Sequence, residues 1–175
     1  MELDDSDPWA HLALGYVAYT SRRTEDAEEE FRRVLDLNPN FAAAHGYLGQ
    51  ALTHAGRSDE AIPNLERAIR LSPHDPQNAV FNVALGASHY LAGRYDEAIA
   101  FSRNAWQQRY GLTAAHRVYC ASLAQAGRVE EARTALEGLK KLHPELSIAW
   151  IEKYVSYTPT PMAKFLDGMR KAGLE

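Results

Sequence analysis

The chain has 175 residues, 46% of them hydrophobic, enough to bury an apolar core without covalent staples, and its one cysteine, Cys120, rules out an internal disulfide. Its 23 acidic and 19 basic side chains leave a net charge of -4, and neither the acidic stretch 1–40 nor the remainder carries the clustered Lys and Arg that a nucleic acid demands. No window approaches the roughly 20 apolar residues of a membrane span, and the acidic opening MELDDSDPW lacks the start of a secretory signal, so a cytoplasmic location with no membrane or nucleic-acid partner is expected.

One stretch sets the frame for the elements. AGRSDEAI at 55–62 returns as AGRYDEAI at 92–99 and AGRVEEAR at 126–133, and Ala27, Ala61, Ala98 and Ala132 stand 34, 37 and 34 residues apart. A fixed period of this size marks a repeat architecture. Helices are expected near 8–21 and 24–37 in the first unit, where Glu28/Arg32 and Glu29/Arg33 at i,i+4 read as a solvated face. The second unit follows with helices near 41–55 and 58–71, the third near 76–92 and 95–108, the fourth near 113–126 and 129–142.

Gly15, Gly49 and Gly86 recur in the first helix of each unit, with Cys120 in the fourth, each preceded by a leucine except where Tyr119 stands. Glycine inside a helix costs about 1 kcal/mol against alanine, so its recurrence implies a close approach, with the alanine of the second helix opposite. Gly56, Gly93 and Gly127 end each first helix in the left-handed conformation, and the Asp/Glu-Glu pairs after them open the second where the helix dipole favours acids. Phe31 and Val34, Leu65 and Ala68, Leu136 and Leu139 fill the far side, and Pro39, Pro73 and Pro144 close three units. The third unit follows a three-residue insertion, has Ser102 where the others have Phe or Leu, and has Tyr110 in place of the closing proline, so its joint is expected to be the loosest packed. A ninth helix is expected near 145–156. A last one, begun by TPTPMAKFL and stopped near Gly173, is expected to cover the exposed apolar edge, as the ends of repeat arrays require.

These units resemble the tetratricopeptide repeat family, a 34-residue helix-turn-helix with Leu-Gly-Tyr, then Ala, a bulky residue and Pro, and the likeness covers residues 8 to about 157. The resemblance implies an all-α, right-handed α-α superhelix forming a single domain. Its repeats are 8–41, 42–75, 79–112 and 113–146, with a half repeat carrying Trp150 and a capping helix in 147–175. It also implies that the first helix of each hairpin lines a concave groove. The groove residues here are Trp9, Leu12, Tyr16, Tyr19, Tyr47, Gln50, Val80, Val83, Tyr90, Leu91, Arg117 and Gln125. Such an apolar, aromatic trough suits a protein or peptide partner, an amphipathic helix or a self-contact, although each aromatic taken singly also reads as inter-helix packing. Family members that clamp the C-terminal carboxylate of chaperones place Lys and Asn where this chain has Leu12, Tyr16, Tyr47, Val80 and Ala84, so no such peptide is expected. The span from PWAHLALGY to FLDGMRKAGLE is similar to the C-terminal repeat region of bacterial signalling proteins, the class III adenylate/guanylate cyclases of alpha-proteobacteria. That likeness implies an alternative role as a regulatory or dimerisation module.

Chemistry is not signalled. His11, His45 and His116 hold the fourth place of their units, so equivalent rings lie on the order of 10 Å apart, too far to share a zinc ion, and His116 with Cys120 supplies only two ligands. There is no phosphate-cradling loop, zinc-protease pair or nucleophile elbow, so no enzyme, metal or cofactor is expected. MELDDSD is too short to cover the first hairpin, and a homodimer that partly buries Trp9 is expected.

Overall fold

The computed structural model describes residues 6–109 and 111–175, so the readings placed on Tyr110 and on residues 1–5 fall outside the described residues. Among those described, the secondary structure is helical throughout: α1 (Pro8–Thr20), α2 (Thr24–Leu37), α3 (Ala42–His54), α4 (Ser58–Leu71), α5 (Asn78–Leu91), α6 (Tyr95–Gln108), α7 (Thr113–Gln125), α8 (Val129–Leu142), α9 (Ile148–Tyr154) and α10 (Pro159–Lys171). Local chemistry sets the ends. Asp7 caps α1 by accepting from Trp9 N at 2.9 Å with Pro8 in the first turn, and Ser147 does the same for α9 from Trp150 N at 3.1 Å.

Helices α1 to α8 pair as four antiparallel hairpins, and the Glu28–Arg32 pair forms at 2.8 Å on the exposed face of α2. Gly49 and Gly86 are where the hairpins close: an added Cβ would stand 3.2 Å from Ala61 O and 3.3 Å from Ala98 O. Gly15 instead makes room for the Phe31 ring. Gly56, Gly93 and Gly127 take positive φ, as the repeated turn requires. In the first unit that place belongs to Arg22, held at φ 61 despite its Cβ. Arg22 gains a partner in return: its Nη2 donates to Lys153 O, 2.8 Å away near the end of α9.

The joint between the third and fourth units is tight around Ser102 and Trp106 but stays open between α6 and α8, where a cavity of about 480 Å³ remains. Ser102 is fully buried and donates Oγ to Ala98 O at 2.6 Å, and Trp106 stacks on His116 with centroids 4.3 Å apart. A small hydroxyl that bonds its own helix lets α5 and α6 approach, and the indole covers the His116 ring.

The odd-numbered helices α3, α5 and α7 also touch one another, whereas their even-numbered partners make no comparable contact with each other, so α1, α3, α5 and α7 form the inner layer. The last helix departs from expectation. Rather than covering the end of the array beside α8, α10 turns back and lies across α7 and α5 on the inner side. Its composition suits that place: Pro161, Phe165, Leu166 and Met169 make one buried face, seated in the cluster that holds Tyr90 and Val118.

Candidate partner-binding face

The inner face divides into a half covered by the chain's own tail and a half left open. On the covered half, Tyr90 is 1% exposed, flanked by Phe165 at 5.9 Å and Tyr95 at 5.8 Å, and its Oη donates to Lys164 O at 2.6 Å. Burial pushes the Tyr90 phenol well up, so it remains a donor at any ordinary pH.

Polar groups of the tail meet the carbonyls that helix ends leave unpaired. Thr158 N and Oγ1 both donate to His54 O, at 2.9 and 3.2 Å, at the end of α3. Lys164 Nζ donates to Leu91 O at 2.8 Å at the end of α5, where a cation also suits the dipole. Gln125 joins α7 to α10, donating to Asp167 at 2.7 Å and accepting from Lys171 at 3.0 Å. Ile148 N donates to Glu175 O at 3.0 Å, which ties the last residue to the start of α9.

Where the tail begins, the His54 ring stacks on Tyr19 at 5.5 Å and takes Tyr157 edge-on at 5.3 Å. Burial lowers His54 to about 4, so the ring is neutral at pH 7. Arg117 sits over the Trp150 ring at 5.2 Å, and burial lowers its basicity too.

These placements correct the expected groove. Tyr90 lies beneath α10, Val83 and Leu91 pack against the same buried cluster, Gln125 is engaged by the tail, and Gln50 is 8% exposed with its Oε1 3.4 Å from Tyr19 Oη. Arg117 and Tyr19 are likewise engaged within the chain. For Tyr90, Val83, Leu91 and Gln125 the reason is shared: a tethered amphipathic helix reaches an apolar face before any free partner can.

The open half belongs to α1 and the start of α3. Trp9 is 66% exposed and meets Phe41 edge-on at 4.7 Å, and Tyr16, 47% exposed, lies 5.3 Å from Tyr47. With Leu12 and Ala13 these residues line a cleft of about 250 Å³. Tyr47 is its floor, backed by Phe31 and Phe81. Val80 is half-buried on α5. In the sequence both halves form one stripe, and nothing local divides them.

Among the described residues no cluster of three or more metal-ligating side chains occurs, and no helix is long and apolar enough to cross a membrane. Cys120 is fully buried and burial pushes its thiol up to about 12, as befits a residue standing in for a glycine at a helix crossing.

Two family models match: tetratricopeptide repeat over residues 12–76, and anaphase-promoting complex, cyclosome, subunit 3 over residues 54–139. The chain is 35% identical over 78 residues to the cellulose synthase operon protein C of Escherichia coli K12, covering 45% of itself and 7% of that protein. It is 32% identical over 96 residues to the peroxisomal targeting signal receptor of Kluyveromyces lactis, covering 55% of itself and 16% of that protein. The chain thus spans a small part of these relatives. Among solved structures, it is similar to PilW, a widely conserved type IV pilus biogenesis factor, with a TM-score of 0.76 and 18% identity over 97% of this chain and 74% of that one. It is similar also to MamA of AMB-1, with a TM-score of 0.69 and 25% identity over 82% of this chain and 85% of that one.

Proposed function

From an all-helical solenoid of tetratricopeptide type, supported by a family model and by solved structures alike, we propose that this chain is a non-catalytic scaffold that binds an apolar or amphipathic helical segment of a partner protein along the open half of its inner face. The observation that carries the reading is the seating of α10. An amphipathic helix already lies on the neighbouring surface, apolar residues Phe165 and Met169 inward and Asp167, Arg170 and Lys171 outward. The Trp9–Tyr16–Tyr47 cleft offers the same chemistry to a second helix. Such a partner inserts one or two large apolar side chains there, in the manner of interface anchors. An acidic chaperone tail is not expected to bind, because Leu12, Tyr16, Tyr47, Val80 and Ala84 supply no cation.

A second reading, a regulatory or dimerisation module within a larger signalling protein, is favoured by the size of the relatives, of which the chain covers 7% and 16%. The test compares wild type with Trp9→Ser/Tyr16→Ser, both positions being exposed and outside the buried clusters. Proteins captured from the source cell by wild type are identified by mass spectrometry, and their affinity for both forms is measured. Scaffold binding predicts a partner bound at least tenfold more weakly by the variant, with thermal unfolding unchanged. A partner set indifferent to the double substitution overturns the assignment to this cleft, and loss of self-association alone would transfer the face to a homodimer.

A further inference from the structure

The first two units share a packing rule that the third, with Asn82 opposite Phe101, does not use and that the fourth breaks. In unit one, His11 Nδ1 lies 2.7 Å from Glu30 Oε2, and in unit two His45 Nδ1 lies 2.8 Å from Asn64 Oδ1. Each time the ring on the first helix meets an acceptor oxygen three residues beyond the repeated alanine of the second helix. In unit four the ring is His116 and the position opposite is Ala135, which offers no acceptor. His116 is 3% exposed and its Nδ1 has no partner, and the buried Nε1 of Trp106, the ring stacked on it, has none either. A buried polar atom left unmet costs about 1–3 kcal/mol, so the fold carries this arrangement at a loss.

Three further departures reshape the same spot. Gly138 stands where the other units have Arg33, Arg67 and Asn104, and a Cβ there would be 3.6 Å from His116 Cε1. Tyr119 replaces the leucine of the other units, and Trp106 replaces Leu35 and Ile69. Together they bound a cavity of about 480 Å³ between α6 and α8, floored by α7. That volume lies within the ~300–1,000 Å³ range of small-molecule sites. It faces away from α10 and from the cleft at Trp9.

Charge at the mouth selects the head group. Glu130 pairs with Arg133 at 2.8 Å and Glu131 with Arg128 at 2.7 Å, so both acids are answered. Arg103 adds a guanidinium 5.5 Å over the Tyr119 ring, its Nη2 donating to Tyr119 Oη at 3.3 Å. The balance favours an acceptor or an anion over a cation.

We propose that this cavity binds a small ligand made of a flat aromatic ring bearing a terminal acceptor oxygen, an aryl carboxylate or aryl carboxamide, with the ring beside Trp106 and Tyr119 and the oxygen accepting from His116 Nδ1 as Glu30 and Asn64 do in the earlier units. The site lies on the face opposite the partner cleft and is independent of the scaffold reading. The probes are benzoate, benzamide and benzylamine, which share a ring and differ in the head. Titrations are followed by nuclear magnetic resonance on the His116 ring and the Trp106 indole N–H. Benzoate and benzamide are expected to shift both signals saturably, their relative affinity telling acid from amide, while benzylamine shifts neither. Ala135→Asn restores the unit-two acceptor; it is expected to raise the thermal midpoint and weaken both ligands at least tenfold. Silence from benzoate and benzamide, an equal response to benzylamine, or undiminished binding by the Ala135→Asn protein each overturns the proposal.

Discussion

Gly168 is the tightest point in the seat of α10, and replacing it by alanine tests whether the tail is docked as described. The added methyl would overlap the Tyr90 hydroxyl and stand 3.1 Å from Ala121 Cβ and 3.2 Å from Ala121 O. Tyr90 cannot swing aside freely, being 1% exposed and hydrogen-bonded to Lys164 O at 2.6 Å. Two effects oppose each other. Alanine in place of glycine in mid-helix gains about 1 kcal/mol of propensity. Overpacking costs about 1–3 kcal/mol, and a Tyr90 hydroxyl left unmet costs about 1–3 kcal/mol more. Because relief of one cost worsens the other, the net loss is about 2 kcal/mol. For a chain of this length that lowers the thermal midpoint by roughly 4–8 °C. Circular dichroism melting gives the sign, and amide exchange over residues 155–175 shows whether the tail is what loosens. A helix not seated on α7 would only gain propensity, so an unchanged or higher midpoint for Gly168→Ala refutes the docking.

Gly49→Ala is expected to destabilise by about 1–2 kcal/mol in urea unfolding, since the new Cβ would stand 2.5 Å from Leu65 Cγ and 3.2 Å from Ala61 O and would force α3 off α4. Gly138→Ala, with nothing nearer than 3.6 Å, is the control and is expected to be neutral or stabilising; equal losses at both would remove close approach as the reason for the repeated glycine. Acid weakens the tail junction. His54 is held down to about 4 in the folded chain against an ordinary value near 6.5, so the unfolded state binds the proton first as pH falls. Stability is therefore full above about 6.5 and declines down to about 4, by at most about 3 kcal/mol. Burial also lowers His89 and His116, so the measurement compares urea midpoints at pH 7.5, 5.5 and 4.5 for wild type and His54→Phe. The variant should lose part of the slope, and equal slopes would discard His54 as a source.

The hairpins were legible because their determinants are local. A glycine with its left-handed turn, two acids after it and an alanine five residues on define each hairpin wherever they occur, and the helix limits fall within two or three residues of those read from the chain for α1 to α8. The course of α10 was not legible. Amphipathicity over 159–171 states that one face is buried and is silent on what buries it, and the contact between Tyr90 and Lys164 joins residues 74 apart. The cavity at Ala135 was half visible. Tyr119 could be seen to break the pattern, but the loss of an acceptor at position 135 acquires meaning only once His11 and His45 are seen to hold theirs.

The open cleft bears on what a partner must look like. At about 250 Å³ it holds one or two side chains, too little for a tight complex on its own. Yet α1 is apolar nearly all round, and of its residues only Gly15 and Ala18 are buried. A helix of that composition normally sits in a core. Trp9 and Tyr16 face the cleft, while Leu14 and Val17, 39% and 54% exposed, lie on the other side of the same helix, away from α2. Leu14 holds the place of Leu48 and Leu85, which neighbouring helices bury almost completely. On the scaffold reading, the partner therefore does more than drop a side chain into the cleft. It clasps α1 from both flanks and supplies the packing that α3 and α5 obtain from their neighbours, which explains how a shallow cleft can anchor a specific contact.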